Sequence, residues 1–225
     1  MNGTDERTRV IMRTRIIMMN GIPVPGICCG LNPEQQTRRL CKLSHMTSTS
    51  EAPDLRYPIG KRVPRTSFTD ASRAAALKTI AETPANLRRA VTGLTDAQLD
   101  TPYRPGGWTV RQLVHHVADS HMNAYVRTRI TLTEENPPVK PYDEAKWAEL
   151  PDAKTMPIDG SLAILDAMHA RWVHLLKTLN AAQFNRTMFH PEHGALTLDG
   201  LLEIYAWHGP HHVAHVTELR KRENF

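Results

Sequence analysis

Apolar residues recur at helical spacing in four long stretches of the chain. Leu162, Leu165, Met168, His169, Trp172, Leu175, Leu176 and Leu179 form an i, i+3, i+4, i+7 stripe, and Ser161 stands ahead of it as the expected cap. Val110, Leu113, Val114, Val117, His121, Ala124 and Tyr125 share one face of a second helix. Its start is marked by the capping box Thr109-x-x-Gln112, and the pattern predicts a helix over 110–134. Leu198, Leu201, Leu202, Tyr205, Val216 and Leu219 trace a third, beginning near Thr197. The fourth opens at Thr69 with Ala71, Ala74, Ala75, Leu77 and Ile80. Pro84 interrupts it, Thr83 caps a continuation through Leu87, Ala90 and Val91, and Gly93 and Thr95 end it.

The connections are punctuated by turn residues. A Ser/Thr/Pro-rich lead-in covers 47–67, a Pro/Gly loop covers 101–107, and 186–196 reads as a small hairpin or loop. Residues 136–159 form a long Pro-rich link, with Tyr142 and Trp147 as anchors and a short helix expected near 143–149. Links this long are uncommon in compact domains unless they cover something. This one reads equally as a passive crossover or as a substrate lid. Four amphipathic helices, few strand signals and one long crossover predict an all-α four-helix bundle.

The chemistry concentrates in the last helix. Between Tyr205 and His215 stand His208, His211, His212 and His215. Residues four apart lie one above the other on a helix, so two pairs can present imidazoles to one cation: His208/His212 and His211/His215. His208 and His212 fall at the edge of the apolar stripe, whereas His211 and His215 point towards the outer face, so the first pair is favoured. Pro210 lies between the two and removes the hydrogen bond to the Ala206 carbonyl, which predicts a kink there. On the Thr109-initiated helix, the adjacent His115 and His116 point about 100° apart, and periodicity does not choose between them. Two imidazoles from the last helix and one from this helix make a three-histidine set with an open position, the catalytic arrangement for zinc. His190 and His193 in the 186–196 excursion are alternative ligands, and His169 and His174 need no functional role.

Composition and charge narrow the reading. The net charge of +5 is carried mostly by residues 1–45, which hold seven basic and three acidic residues. The rest holds 21 basic and 20 acidic residues, so it lacks the electrostatic footprint of a nucleic-acid binder. No apolar run is long enough to span a bilayer. Cys28, Cys29 and Cys41 all lie in the first segment. With His45 they fit no standard zinc module, and the cysteine-free remainder points to a reducing cytoplasm. We read 1–45 as an N-terminal extension, disordered or an artefact of start-site choice with Met46 as the alternative start. Residues 46–225 are read as the metal-binding bundle.

Several blocks in order resemble one family. They are Leu55-Arg56-Tyr57-Pro58-Ile59-Gly60, the run from Gly107-Trp108-Thr109 through His115-His116 to His121, Leu132-Thr133-Glu134-Glu135, Pro141-Tyr142-Asp143-Glu144, and Tyr205-Ala206-Trp207-His208 with His211-His212-Val213-Ala214-His215. Together they resemble the YfiT family of metal-dependent hydrolases, in the DinB-like superfamily, over about 54–222. The resemblance implies a DinB-like bundle, a homodimer, and one divalent metal per subunit, commonly zinc, with nickel or another divalent ion as alternatives. It also implies that His116, His208 and His212 are the ligands, which chooses His116 over His115. It extends to a thiol S-transferase that moves bacillithiol onto electrophiles.

Three functions follow. The first is a metal-dependent hydrolase, whose general base has only positional candidates, Asp119 and Glu203. The second is a thiol S-transferase taking a low-molecular-weight thiol, with Arg127, on the His116 column, as a substrate-binding candidate. The third is a non-catalytic metal-binding stress-response bundle.

Overall fold

A computed structural model describes residues 54–225 apart from His193. The expectations for 1–45, including the cysteine set, and for His193 lie outside the described residues. In chain order the elements are α1 (Asp70–Val91), α2 (Asp96–Leu99), α3 (Val110–Thr133), α4 (Glu144–Ala148), α5 (Pro151–Thr155), α6 (Asp159–Leu176), α7 (Ala181–Phe184), the strands β1 (Thr187–His190) and β2 (Gly194–Thr197), and α8 (Leu198–Glu223). Four of these helices are long, and their apolar stripes meet in one core around Ile80, Leu87, Leu113, Leu165, Trp172 and Val216. The expected four-helix bundle is present. No helix among the described residues is long and apolar enough to cross a membrane.

Local chemistry sets the helix starts. Thr69, Thr95 and Thr109 each accept from the N3 backbone, and Ser72, Gln98 and Gln112 return the bond, so α1, α2 and α3 open with capping boxes. Ser161 does not cap α6. That helix begins two residues earlier, after Ile158, without a side-chain cap, and the Ser161 hydroxyl instead bonds His115 Nδ1 at 2.7 Å. Pro84 does not interrupt α1, which is continuous to Val91. The carbonyl that proline leaves without a donor is that of Ile80, and His169 Nδ1 from α6 donates to it at 2.9 Å. A neighbouring helix thus supplies the missing bond. α8 likewise runs without a break through Pro210.

Cross-helix pairs fix the topology. Arg73–Asp199 and Arg220–Ala90 show that α1 and α8 run parallel. His115–Ser161, His121–His169 and Trp172–Thr128 show the same for α3 and α6. Ser120–Tyr205 and His116–His208 make α3 antiparallel to α8. The helices therefore ring the core in the order α1, α6, α3, α8. Because α3 and α6 are neighbours pointing the same way, the chain must return along the bundle between them. That return is the Pro-rich link, carrying α4 and α5. Gln112 Nε2 holds it by donating to the Ala148 carbonyl at 2.7 Å. The buried Arg111 guanidinium holds it by donating to Met156 O at 3.1 Å, with Asp96 and Asp100 as its counter-ions. The β1–β2 hairpin also pins it, through Val139 N–H to Phe189 O and Phe189 N–H to Pro137 O, each 2.9 Å.

Gly209 governs how closely α8 approaches α1 beside the histidines. A Cβ there would lie 2.5 Å from Thr83 Oγ1 and 3.1 Å from Thr83 Cβ. The Thr83 hydroxyl is already committed to the Thr79 carbonyl, so the side chain has little freedom to turn away. Gly209→Ala is expected to destabilise the protein by about 1–3 kcal/mol, overpacking outweighing the ~1 kcal/mol gain in helix propensity. In a Thr83→Ala background, which removes the Oγ1 and Cγ2 contacts and keeps the one to Cβ, the same change is expected to cost less. Urea melts of the four proteins check the difference.

Candidate metal centre

The antiparallel α3 and α8 bring three imidazoles to one point. His208 and His212 lie one turn apart on α8, with ring centroids 4.5 Å apart. His116 faces them from α3, its centroid 5.3 Å from His208 and 5.0 Å from His212. Trp108, immediately before the α3 cap, lies against His116 at 4.6 Å. One nitrogen from each of the three rings falls within 4.8 Å of the others. His116 Nε2 and His208 Nε2 are 3.3 Å apart. Two imidazole nitrogens each ~2.0–2.1 Å from a tetrahedral ion stand roughly 3.3 Å apart, so this separation fits a small divalent cation.

The electrostatics favour ligand chemistry. Burial holds His116 down to about pKa 4, and burial first, then the neighbouring histidines, holds His208 and His212 well below the usual imidazole range. At neutral pH all three are uncharged and have lone pairs available, the form a metal requires. A cavity of about 330 Å³ opens on the cluster, its wall also formed by Ser120, Arg127, Tyr142, Glu144, His190 and Glu192.

His211, His212 and His215 form a second grouping with converging ligand atoms. His211 and His215 do not face outward as periodicity suggests. Both are buried, because the lead-in and the 101–107 loop cover that side of α8. His215 stacks on Tyr103 at 4.1 Å and bonds the Arg56 carbonyl through Nε2 at 3.2 Å, and it lines a separate cleft with Asp54 and Leu55. His211 stacks on Trp207 at 4.1 Å. Only the His116/His208/His212 set stands as a whole on the 330 Å³ cavity.

The sequence model of the DinB superfamily matches residues 79–216. YfiT of Bacillus subtilis, described as a probable metal-dependent hydrolase, is 51% identical over 170 residues, covering 75% of this chain and 96% of its own. This chain belongs to the YfiT branch of the DinB superfamily. A relative from Bacillus mycoides strain KBAB4, also named as a probable metal-dependent hydrolase, is 52% identical over 172 residues, covering 76% of this chain and 99% of that one. The solved YfiT structure, described as an unusual four-helix bundle topology, superimposes with a TM-score of 0.75 and covers 77% of this chain and 99% of that one.

Within this DinB-superfamily fold the other residues singled out from the sequence divide. Arg127 reaches the cavity wall, buried, and donates to the Lys140 carbonyl at 2.8 Å. His190 is also in that wall, its Nδ1 accepting from Glu192 N–H at 3.2 Å. Glu203 does not reach the cavity. Its carboxylate is held by the Arg62 guanidinium at 3.0 Å and the Arg65 backbone N–H at 2.9 Å, on the lead-in side of α8. Asp119, pushed up to about 6 by burial and then by Asp152, is also absent from the cavity wall. Helix position alone had suggested both. The wall instead presents Tyr142 and Glu144 from the crossover and Glu192 from the hairpin turn. Burial raises the Tyr142 hydroxyl, and burial, then Glu192 and Asp143, raises Glu144. The Pro141-Tyr142-Asp143-Glu144 block and the anchoring Tyr142 were the sequence signals for Tyr142 and Glu144, and no sequence signal marked Glu192.

Buried neutral histidines make stability depend on pH. Burial lowers His169 from 6.5 to about 4, and His116, His211 and His215 behave alike. The unfolded chain binds these protons near pH 6.5, whereas the fold resists them until about pH 4. Stability is therefore full above 6.5 and falls as pH drops towards 4. For His169, 2% exposed, a shift of that size corresponds to about 3 kcal/mol. Urea midpoints of metal-free protein are expected to fall steeply from pH 6.5 to 4, and His169→Phe is expected to flatten the curve.

Proposed function

We propose that the protein is a metal-dependent hydrolase whose His116, His208 and His212 hold one divalent ion, zinc in the first instance. The observation that carries this is the convergence of three uncharged imidazoles, His116 and His212 buried and His208 half-buried, on one point in the wall of a cavity. The hydrolase names of the relatives support the reaction class. A divalent ion held by these three residues would supply Lewis acidity to an incoming oxygen or sulfur group. The chain contributes the rest. Trp108 packs on His116 and shares the cavity wall with it. Glu144 and Glu192 stand in the wall as the carboxylates available for proton transfer, in place of Asp119 and Glu203. Tyr142 offers a neutral hydroxyl donor across the same space.

Arg127 favours a second reading. A buried guanidinium in the cavity wall suits the carboxylate of a low-molecular-weight thiol, as in a thiol S-transferase, where no separate base is needed. A homodimer in a reducing compartment is the assembly proposed with either reaction.

Elemental analysis of purified protein is expected to find one divalent metal per chain in the wild type and near none in His212→Ala. Metal retained by that variant would overturn the ligand set. The loaded protein, offered ester and amide substrates beside an electrophile with a thiol, is expected to hydrolyse. Conjugation without hydrolysis would establish the transferase. Arg127→Met is then expected to raise KM for the acidic thiol about tenfold or more, the loss of one charge-assisted contact.

A further inference from the structure

Two more buried histidines, His121 and His169, lie behind the cluster and outside both metal groupings. His121 is fully buried and His169 is 2% exposed. They connect the proline in α1 to a proposed metal ligand. His169 Nδ1 is 2.9 Å from the Ile80 carbonyl, His169 Nε2 is 2.9 Å from His121 Nδ1, and His121 Nε2 is 3.1 Å from His208 Nδ1. Each contact is within hydrogen-bonding distance, and each links the two different nitrogens of successive rings.

The direction of this chain is forced at its foot. The Ile80 carbonyl lacks its helical donor because residue 84 is proline, and a carbonyl can only accept. His169 Nδ1 must therefore carry the proton. A cation buried here would be costly, and among the described residues no carboxylate hydrogen-bonds either ring, so each imidazole carries one proton. His169 Nε2 then accepts, and His121 Nδ1 donates to it. His121 Nε2 in turn accepts, and His208 Nδ1 donates. That leaves the His208 Nε2 lone pair bare, 3.3 Å from His116 Nε2. Reversing any one step would oppose two lone pairs or two protons.

We propose that His121 and His169 are positioning residues for the metal centre: a one-way imidazole relay, anchored on the carbonyl that Pro84 leaves free, that fixes His208 with its proton on Nδ1 and aims Nε2 at the cation. The proposal rests on the ligand role of His208. Metal-binding histidines commonly give their second N–H directly to a carboxylate or carbonyl. Here the carbonyl is two rings away, and the intervening rings are held by packing. His121 meets Tyr205 edge-on at 4.9 Å and Trp172 at 6.2 Å, and His169 meets Trp172 at 5.7 Å. The arrangement gives Pro84 a function distant from the cavity.

Long-range ¹H–¹⁵N correlation spectra of histidine-labelled, metal-free protein read the tautomers directly. His208, His121 and His169 are expected to be protonated on Nδ1 alone, and Nε2-protonated His208 would overturn the relay. Zinc affinity by chelator competition is the second readout. His169→Phe, checked for folding by circular dichroism, is expected to weaken zinc binding about tenfold, within the 10–100-fold range of such partners. His169→Gln, which has both a donor and an acceptor, is expected to recover most of it. Pro84→Ala returns an N–H to the Ile80 carbonyl, and is expected to lose the single-tautomer signature of His169. Unchanged affinity and tautomers in both His169→Phe and Pro84→Ala would overturn the proposal. Failure of the ligand reading looks different: wild type would bind no zinc while its three Nδ1–H signals persisted, and the relay would lose its assigned role.

Discussion

Imidazole burial is the constraint on which this structure depends. A buried imidazole must be neutral, and a neutral imidazole has one donor and one acceptor, each of which costs energy if left unpaired. The bundle buries His116, His121, His169, His211, His212 and His215 together around His208. The arrangement of helices meets part of that requirement and leaves Nδ1 of His211, His212 and His215 without a hydrogen-bond partner among the described residues. α3 and α8 oppose each other so that His116 faces His208 and His212. α6 contributes His169, and α1 contributes a carbonyl with no helical partner. His116, His208 and His212 meanwhile converge on one cavity, the set proposed to hold a cation.

The same constraint links fold to function through the crossover. Parallel neighbours α3 and α6 require a long return, and that return builds the outer wall of the cavity with Tyr142 and Glu144. The proposed metal ligands sit on long helices, which hold geometry well, whereas the groups proposed to meet substrate sit on the crossover and hairpin.

Much of this was legible in the sequence because it is local. The apolar stripes and the Thr109–Gln112 box placed α3 and the start of α8 almost to the residue, and spacing of four with the stripe edge favoured His208 and His212. What was not legible depended on partners from elsewhere in the chain. Pro84 reads as a break because the donor that rescues its turn comes from α6. His211 and His215 read as outward because the covering lead-in has no periodicity. His169 read as unremarkable, and its role appears only when three helices meet. Asp119 and Glu203 were suggested by helix position; Arg62 and Arg65 hold Glu203 on the lead-in side of α8, and Asp119 is absent from the cavity wall.

The central claim is that three imidazoles from α3 and α8 hold one cation. X-ray absorption spectroscopy of the zinc-loaded protein tests it most directly. The account predicts three imidazole nitrogens at ~2.0–2.1 Å with the rest of the shell a light oxygen donor and no sulfur. A shell with sulfur, or with fewer than three imidazoles, would contradict it.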